Sequence, residues 1–129
     1  MGLSQAKNLS LQMSPTDLLS QLLAFVSDGK KQKFEQVLEE RTRYLTVVLE
    51  NIYQPHNASA VLRSCDGFGV QDVHIIEQNN SFKTSSGVTI GSDKWLTLSH
   101  YSLKTSSDPT QQCLSKLKEQ GYMIVATSP

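Results

Sequence analysis

The chain has 129 residues, with twelve basic and twelve acidic side chains and 38% hydrophobic residues. That is enough for about one domain with a core of its own. The balanced charge excludes a global field drawing the chain to nucleic acid or a membrane, so an anionic partner has to be met by a local patch.

Residues 1–13 show no period and read as a loose leader. Order begins at Ser14-Pro15-Thr16-Asp17, which combines an N-cap, proline at the first helical position and an acid closing the first turn. Leu18, Leu19, Leu22, Leu23 and Val26 then form a wide apolar stripe that Gly29 ends, and it needs a second helix or a partner subunit to bury it. The next helix is opened by Lys30, Lys31 and Lys33 and closed by Arg41 and Arg43, with Phe34, Val37 and Leu38 as a narrower stripe. Residues 30–43 hold five basic and three acidic side chains, a net of plus two (5 − 3). This is either a solvated face laced with ion pairs or a phosphate-contacting surface. The residues alone favour the first, because the glutamates dilute the field.

The stretch from Leu45 to Ile76 organises the rest. Leu45-Thr46-Val47-Val48-Leu49 is short, apolar and β-branched, which suits a strand buried on both faces. A turn-prone loop ends in Pro55-His56-Asn57, with Asn57 the natural N-cap of a helix. Ala58, Val61, Leu62 and Cys65 make one helical face, and Arg63 and Asp66 lie off it at a spacing that lets them pair. Gly67 and Gly69 stop the helix, and Asp72-Val73-His74-Ile75-Ile76 restarts a strand. The whole is a βαβ unit.

Glu77–Gly87 is a polar loop long enough to have a function of its own. Its Ser85-Ser86-Gly87 lacks the spacing of a phosphate-binding loop. Val88-Thr89-Ile90 leads into an alternating strand, Trp95-Leu96-Thr97-Leu98, followed by a linker over residues 101–107. Asp108-Pro109 starts a helix that buries Cys113, Leu114 and Leu117, and Gly121 ends it. Residues 122–127 read as a last buried strand. Both cysteines, Cys65 and Cys113, sit on apolar helical faces and read as buried thiols of a reducing compartment. No apolar run approaches a membrane span and no signal peptide is evident, so a cytoplasmic location is expected.

Strands alternating with helices predict an α/β fold whose sheet is mostly parallel, with helices on both faces and a site beyond the strand C-terminal ends. Because the sequence stops on a strand, the expected piece is the front part of a larger domain. His56, His74 and His100 have no metal-ligand spacing, and His74 reads as structural. Asn57 and Arg63 are the polar pair of interest. Arg63 is a surface ion-pairing residue or a bidentate phosphate clamp, and the residues alone leave the two even.

The pattern Glu50-Asn51, Pro55-His56-Asn57-x-Ser59-Ala60-x-x-Arg63-Ser64-x-Asp66-x-x-Gly69-Val70 resembles the first motif of the SpoU/TrmH branch of the SPOUT RNA methyltransferases. Gly91-Ser92-x-x-Trp95 and the segment 124–127 agree with it, and the likeness runs over about residues 30–129. The resemblance implies transfer of a methyl group from S-adenosyl-L-methionine to a ribose 2′-hydroxyl by a homodimer whose C-terminal trefoil knot holds the cofactor. The favoured substrate is a tRNA D-loop guanosine, at position 18, with ribosomal RNA the alternative. Carried over, Arg63 is the catalytic arginine, Asn57 its supporting asparagine and Thr127 a cofactor contact. Lys30, Lys31, Lys33, Arg41 and Arg43 become RNA contacts. The implied organisation is a leader (1–13), a helical tRNA-binding extension (14–43) and a truncated methyltransferase domain (44–129). Two later family motifs that build most of the cofactor pocket are missing, so this chain alone is expected to be inactive. The rival expectation is a non-catalytic RNA-binding or dimerisation module sharing the motif by descent.

Overall fold

The computed structural model describes residues 13–127, and these fall into two compact units that divide between Glu40 and Arg41. The leader expected over 1–13 lies outside the described residues except for Met13.

The first unit holds helices α1 (Pro15–Leu23) and α2 (Asp28–Glu39). Ser14 caps α1 as its sequence requires: its Oγ accepts from the Asp17 N–H at 3.1 Å and donates to the Asp17 carboxylate at 2.7 Å. Helix α2 starts before Lys30, because Ser27 takes the extended N-cap conformation and Asp28 fills the first turn. Gly29 therefore lies inside α2 rather than ending α1, and Arg41 and Arg43 fall beyond the helix that they were expected to close.

The second unit contains strand β1 (Val47–Glu50), helix α3 (Pro55–Gly67), strand β2 (Asp72–Glu77), a single turn α4 (Ser86–Thr89), strand β3 (Thr97–Ser102) and helix α5 (Pro109–Glu119). The sheet order is β1-β2-β3 with both pairings parallel. Val47 pairs with Val73 and Asp72 with Thr97, so side-chain parity is carried across the ladder. Val47, Leu49, Val73, Ile75 and Leu98 share a face with Leu62 and Cys65 of α3. Val48, Ile76 and Tyr101 share the other with Cys113 and Leu117 of α5. Period-two alternation of apolar residues thus gives two cores from one sheet, one under each helix.

Helices α3 and α5 end in the same way. Gly69 (φ 72°) and Gly121 (φ 90°) occupy the left-handed position that closes each last turn. The Val70 N–H then reaches the Cys65 carbonyl at 2.9 Å, and the Tyr122 N–H reaches that of Leu117 at 3.0 Å. This six-to-one bond satisfies an otherwise orphaned carbonyl, and only glycine takes that φ without strain.

Four expectations are corrected. Helix α3 begins at Pro55 with Gln54 as its extended N-cap residue, so Asn57 lies inside the first turn. Proline has no N–H to leave unsatisfied, which lets the helix start one step after the loop. The third strand is Thr97–Ser102, so Tyr101 is a buried strand residue and not part of a linker. Asp66 pairs with Arg41 instead of Arg63. Residues 122–127 form no strand among the described residues, although Tyr122 and Ile124 pack on the α5-side core. Their inward side chains follow the expected alternation, but their backbone makes no ladder with the open side of β1, and pairing is what defines a strand.

Candidate functional site

The C-terminal ends of three parallel strands meet the loops 51–54, 78–85 and 103–108 along one edge of the sheet, where ligands of open α/β sheets bind. Asn51 organises that edge. It sits in the left-handed region (φ 49°), which asparagine tolerates better than most residues. Its N–H donates to the Ile76 carbonyl at 2.9 Å. Its Oδ1 accepts from the N–H groups of Gln78 and Asn79 at 2.8 and 2.9 Å, and its carbonyl accepts from the Asn80 amide at 3.0 Å. One side chain therefore fixes the exit of β1 against the exit of β2.

Two further links complete the frame. Thr110, in the first turn of α5, donates to Glu50 at 2.6 Å and accepts from Gln78 Nε2 at 2.9 Å. Ser59, fully buried in α3, donates to the Pro55 carbonyl at 2.7 Å and accepts from the Ser85 N–H at 2.7 Å. Glu77 receives the Phe82 N–H at 2.7 Å on one oxygen and faces His100 Nδ1 at 3.1 Å with the other. The Phe82 N–H, with His100 adding to it, holds the carboxyl below the usual glutamate range despite partial burial. A polar cleft of about 240 Å³ lies here, lined in part by Gln78, Asn79, Asn80 and Lys104.

Helix α3 carries the candidate chemistry out of this edge. At about 100° per residue, His56 and Arg63 lie within about 20° of each other, some 10 Å apart along the axis. Asn57 is rotated about 120° from Arg63, so the two are not on one stripe. All three are exposed. Arg63 has no hydrogen-bond or ion-pair partner among the described residues, which sets it apart from the other arginines. Arg41 is bound to Asp66 with its side chain 10% exposed, and Arg43 grips both Asp72 oxygens at 2.5 and 2.6 Å. Arg41 is therefore largely covered and committed to its ion pair with Asp66. In the first unit Lys31 pairs with Asp28 at 3.0 Å and Lys33 contacts Gln36 at 3.3 Å, while Lys30 has no partner among the described residues.

The remaining histidine and both thiols are structural in character. His74 is buried, its Nδ1 3.2 Å from the Tyr101 hydroxyl, and burial lowers its pKa. Burial also raises the Cys65 pKa and pushes the Cys113 thiol up to about 11. No metal-binding group of histidine, cysteine and acidic side chains exists among the described residues. Thr127 is exposed and lines neither this cleft nor the larger one of about 460 Å³ beside Arg43 and Tyr122.

A family model described as the SpoU rRNA Methylase family matches residues 44–129. The chain belongs to that family. Among curated relatives, the tRNA (guanosine(18)-2′-O)-methyltransferase of Borreliella burgdorferi is 43% identical over 107 residues, covering 83% of this chain and 46% of the relative. The protein of that name from Thermus thermophilus is 35% identical over 102 residues, covering 79% of this chain and 50% of its own length. The crystal structure of an Aquifex aeolicus TrmH/SpoU tRNA modifying enzyme aligns with a TM-score of 0.60 and 29% identity, covering 73% of this chain and 45% of that one. The chain spans about half the length of the curated relatives it matches.

SpoU methylases generally use S-adenosylmethionine. The described residues do not fit that cofactor by themselves: the expected contact Thr127 stands exposed on a segment without ladder bonds and lines neither of the two clefts. What they do build is a hydrogen-bonded strand-end frame, and a helix leading from it that carries one arginine without a partner among the described residues. Its organisers, Asn51, Ser59, Glu77 and Thr110, received no role from the sequence. Asn51 and Ser59 stand in the motif that carries the family resemblance, and an asparagine directly after a buried strand is a recognisable left-handed turn signal.

Proposed function

We propose that this chain supplies the RNA-binding and ribose-activating half of a tRNA guanosine 2′-O-methyltransferase, acting at guanosine 18 as the names of its relatives indicate. The observation that carries the reading is Arg63: an exposed guanidinium without a partner among the described residues, on the helix that runs back from the sheet's C-terminal edge, inside the segment that belongs to the SpoU family. A group whose pKa exceeds about 12 is a poor base at neutral pH. Arg63 instead clamps a substrate phosphate and stabilises the alkoxide that develops as the 2′-hydroxyl loses its proton. Asn57, in the first turn of the same helix, supports the ribose. Lys30, Lys31, Lys33 and Arg43 make phosphate contacts, the first three from a helical extension over residues 14–43, and Arg41 serves the fold.

In this reading the methyl donor is S-adenosyl-L-methionine, held mainly by sequence corresponding to the half of the relatives that this chain does not span. Thr127 contributes one edge. The working enzyme is a cytoplasmic homodimer. A chimera tests the reading: residues 30–129 replace the matching residues of the Borreliella burgdorferi relative, and methyl transfer from labelled donor to tRNA transcripts with and without guanosine 18 is measured. Transfer only to the guanosine-18 transcript supports the proposal. Tight tRNA binding without transfer by a folded chimera overturns it in favour of a non-catalytic RNA-binding module, and transfer to a ribosomal transcript alone reassigns the substrate.

A further inference from the structure

From Arg41 onward, four phenylalanine, tyrosine and tryptophan side chains among the described residues are more than half exposed: Tyr44, Tyr53, Phe68 and Trp95. Tyr44 precedes β1, Trp95 precedes β3, and Phe68 ends the helix that runs back from the strand ends. All three therefore lie toward the N-terminal edge of the sheet. Tyr53 alone stands at the C-terminal edge, 81% exposed, in the loop that leads into the helix of Arg63.

The backbone around Tyr53 is fixed on both sides. Two residues before it, Asn51 is held by the bonds to Ile76, Gln78, Asn79 and Asn80 described above. Ile52 packs against the α3-side core, which turns the next side chain outward, and Pro55 sets the backbone at the helix start. The result is a large planar ring presented to solvent from an ordered loop, on two rotatable bonds. Such a side chain offers contact area at low ordering cost. Helical side chains lean toward the N-terminus of their helix, so Arg63 reaches toward the end where His56 and Tyr53 lie.

We infer that Tyr53 is a stacking platform for the base of the target nucleotide, a substrate-binding residue that holds the base while Arg63 engages its ribose and phosphate. The inference rests on the methyltransferase reading above. A 2′-hydroxyl in a folded RNA loop is presented squarely only when its base is held, and an aromatic face holds any base through its π-surface.

The test measures binding of the 129-residue chain to a tRNA transcript with guanosine at position 18 and to the same RNA made abasic there. The wild-type chain should bind the abasic RNA about tenfold more weakly, the usual scale for one stacked base. Tyr53→Ala should bind the intact RNA about tenfold more weakly and lose nothing further on the abasic one, while Tyr53→Phe and Tyr53→Trp recover wild-type affinity. Unchanged thermal unfolding of Tyr53→Ala checks that the loop stays folded. An equal loss by Tyr53→Ala on both RNAs, or no loss on either, overturns the stacking role and leaves the methyltransferase reading intact. A wild-type chain that binds neither RNA overturns both.

Discussion

Arg41 and Asp66, twenty-five residues apart in sequence, form an ion pair that ties the entry to β1 to the last turn of α3. The arginine side chain is 10% exposed, and its second terminal nitrogen is buried without a partner. Beside it, the Thr42 N–H donates to the Gly69 carbonyl and the Gln71 N–H to the Thr42 carbonyl, at 2.7 and 3.0 Å. Removing Asp66 strands a buried positive charge, whereas removing Arg41 deletes the charge that needed compensation. Asp66→Ala should therefore cost about 3 kcal/mol, and Arg41→Met distinctly less. Urea unfolding of the two variants decides; equal losses would show that the pair contributes only packing.

Arg63 predicts the opposite behaviour. Being exposed and without a partner among the described residues, it can be changed at a stability cost within about 0.5 kcal/mol. In the chimera with the Borreliella burgdorferi relative, Arg63→Lys should lose at least about a hundredfold in kcat, because an ammonium cannot present the two parallel N–H bonds of a guanidinium. Single-turnover methylation beside a thermal melt separates the effects. Near-normal turnover by the lysine variant would remove Arg63 from the chemistry.

How far these roles were legible depended on whether they were local. The β1–α3–β2 unit, the Ser14 cap and the stops at Gly69 and Gly121 follow from spacing and caps alone, since each is decided within a few residues. Asp66 found Arg41 rather than Arg63 because tertiary contact brings residue 41 under the helix end, which no helical period encodes. Asn57 looked like a cap because its chemistry suits one, but Pro55 had already started the helix. The organisers Asn51, Ser59, Glu77 and Thr110 bond across loops that sequence alone does not bring together. The segment 122–127 has the composition of a strand, yet a strand is a property of two neighbours.

Lys30, Lys31 and Lys33 should appear in the salt dependence of tRNA binding. Their local partners are surface groups, Asp28 at 3.0 Å from Lys31 and Gln36 at 3.3 Å from Lys33, and such contacts yield readily to phosphate. Replacing all three by glutamine should lower the slope of log affinity against log salt by roughly two to three, about one for each contact. Arg41→Met should leave that slope unchanged. An unaltered slope in the triple variant would return α2 to a merely solvated face.

The two thiols should report global unfolding. Cys113 is fully buried with its pKa pushed up to about 11, and Cys65 is buried with its own pKa raised. A neutral, inaccessible thiol does not attack a disulfide reagent. Labelling of the folded chain at pH 8 should therefore proceed at the rate of opening, and both thiols should react at once in urea. Fast reaction of either in native buffer would contradict its placement in the core.

His74 sets the response to mild acid. It is buried in β2 with its Nδ1 against the Tyr101 hydroxyl, and burial is the first cause of its lowered pKa. Asp72 opposes that shift and Lys116 adds to it. In the folded chain the ring is held neutral, whereas in the unfolded chain it takes a proton near its ordinary pKa of about 6.5. Below that value the unfolded state binds more protons, so stability is full above about pH 6.5 and falls steadily as the pH drops toward the lowered folded pKa. Glu77, also depressed, adds its own loss only at lower pH, beneath the ordinary glutamate value of about 4.3. Unfolding free energy measured from pH 7.5 to 5 should thus decline in the wild type and stay flatter in His74→Phe, even where that variant is less stable at neutral pH. A wild-type profile flat across that window, or an equal slope in the variant, would place the acid sensitivity elsewhere.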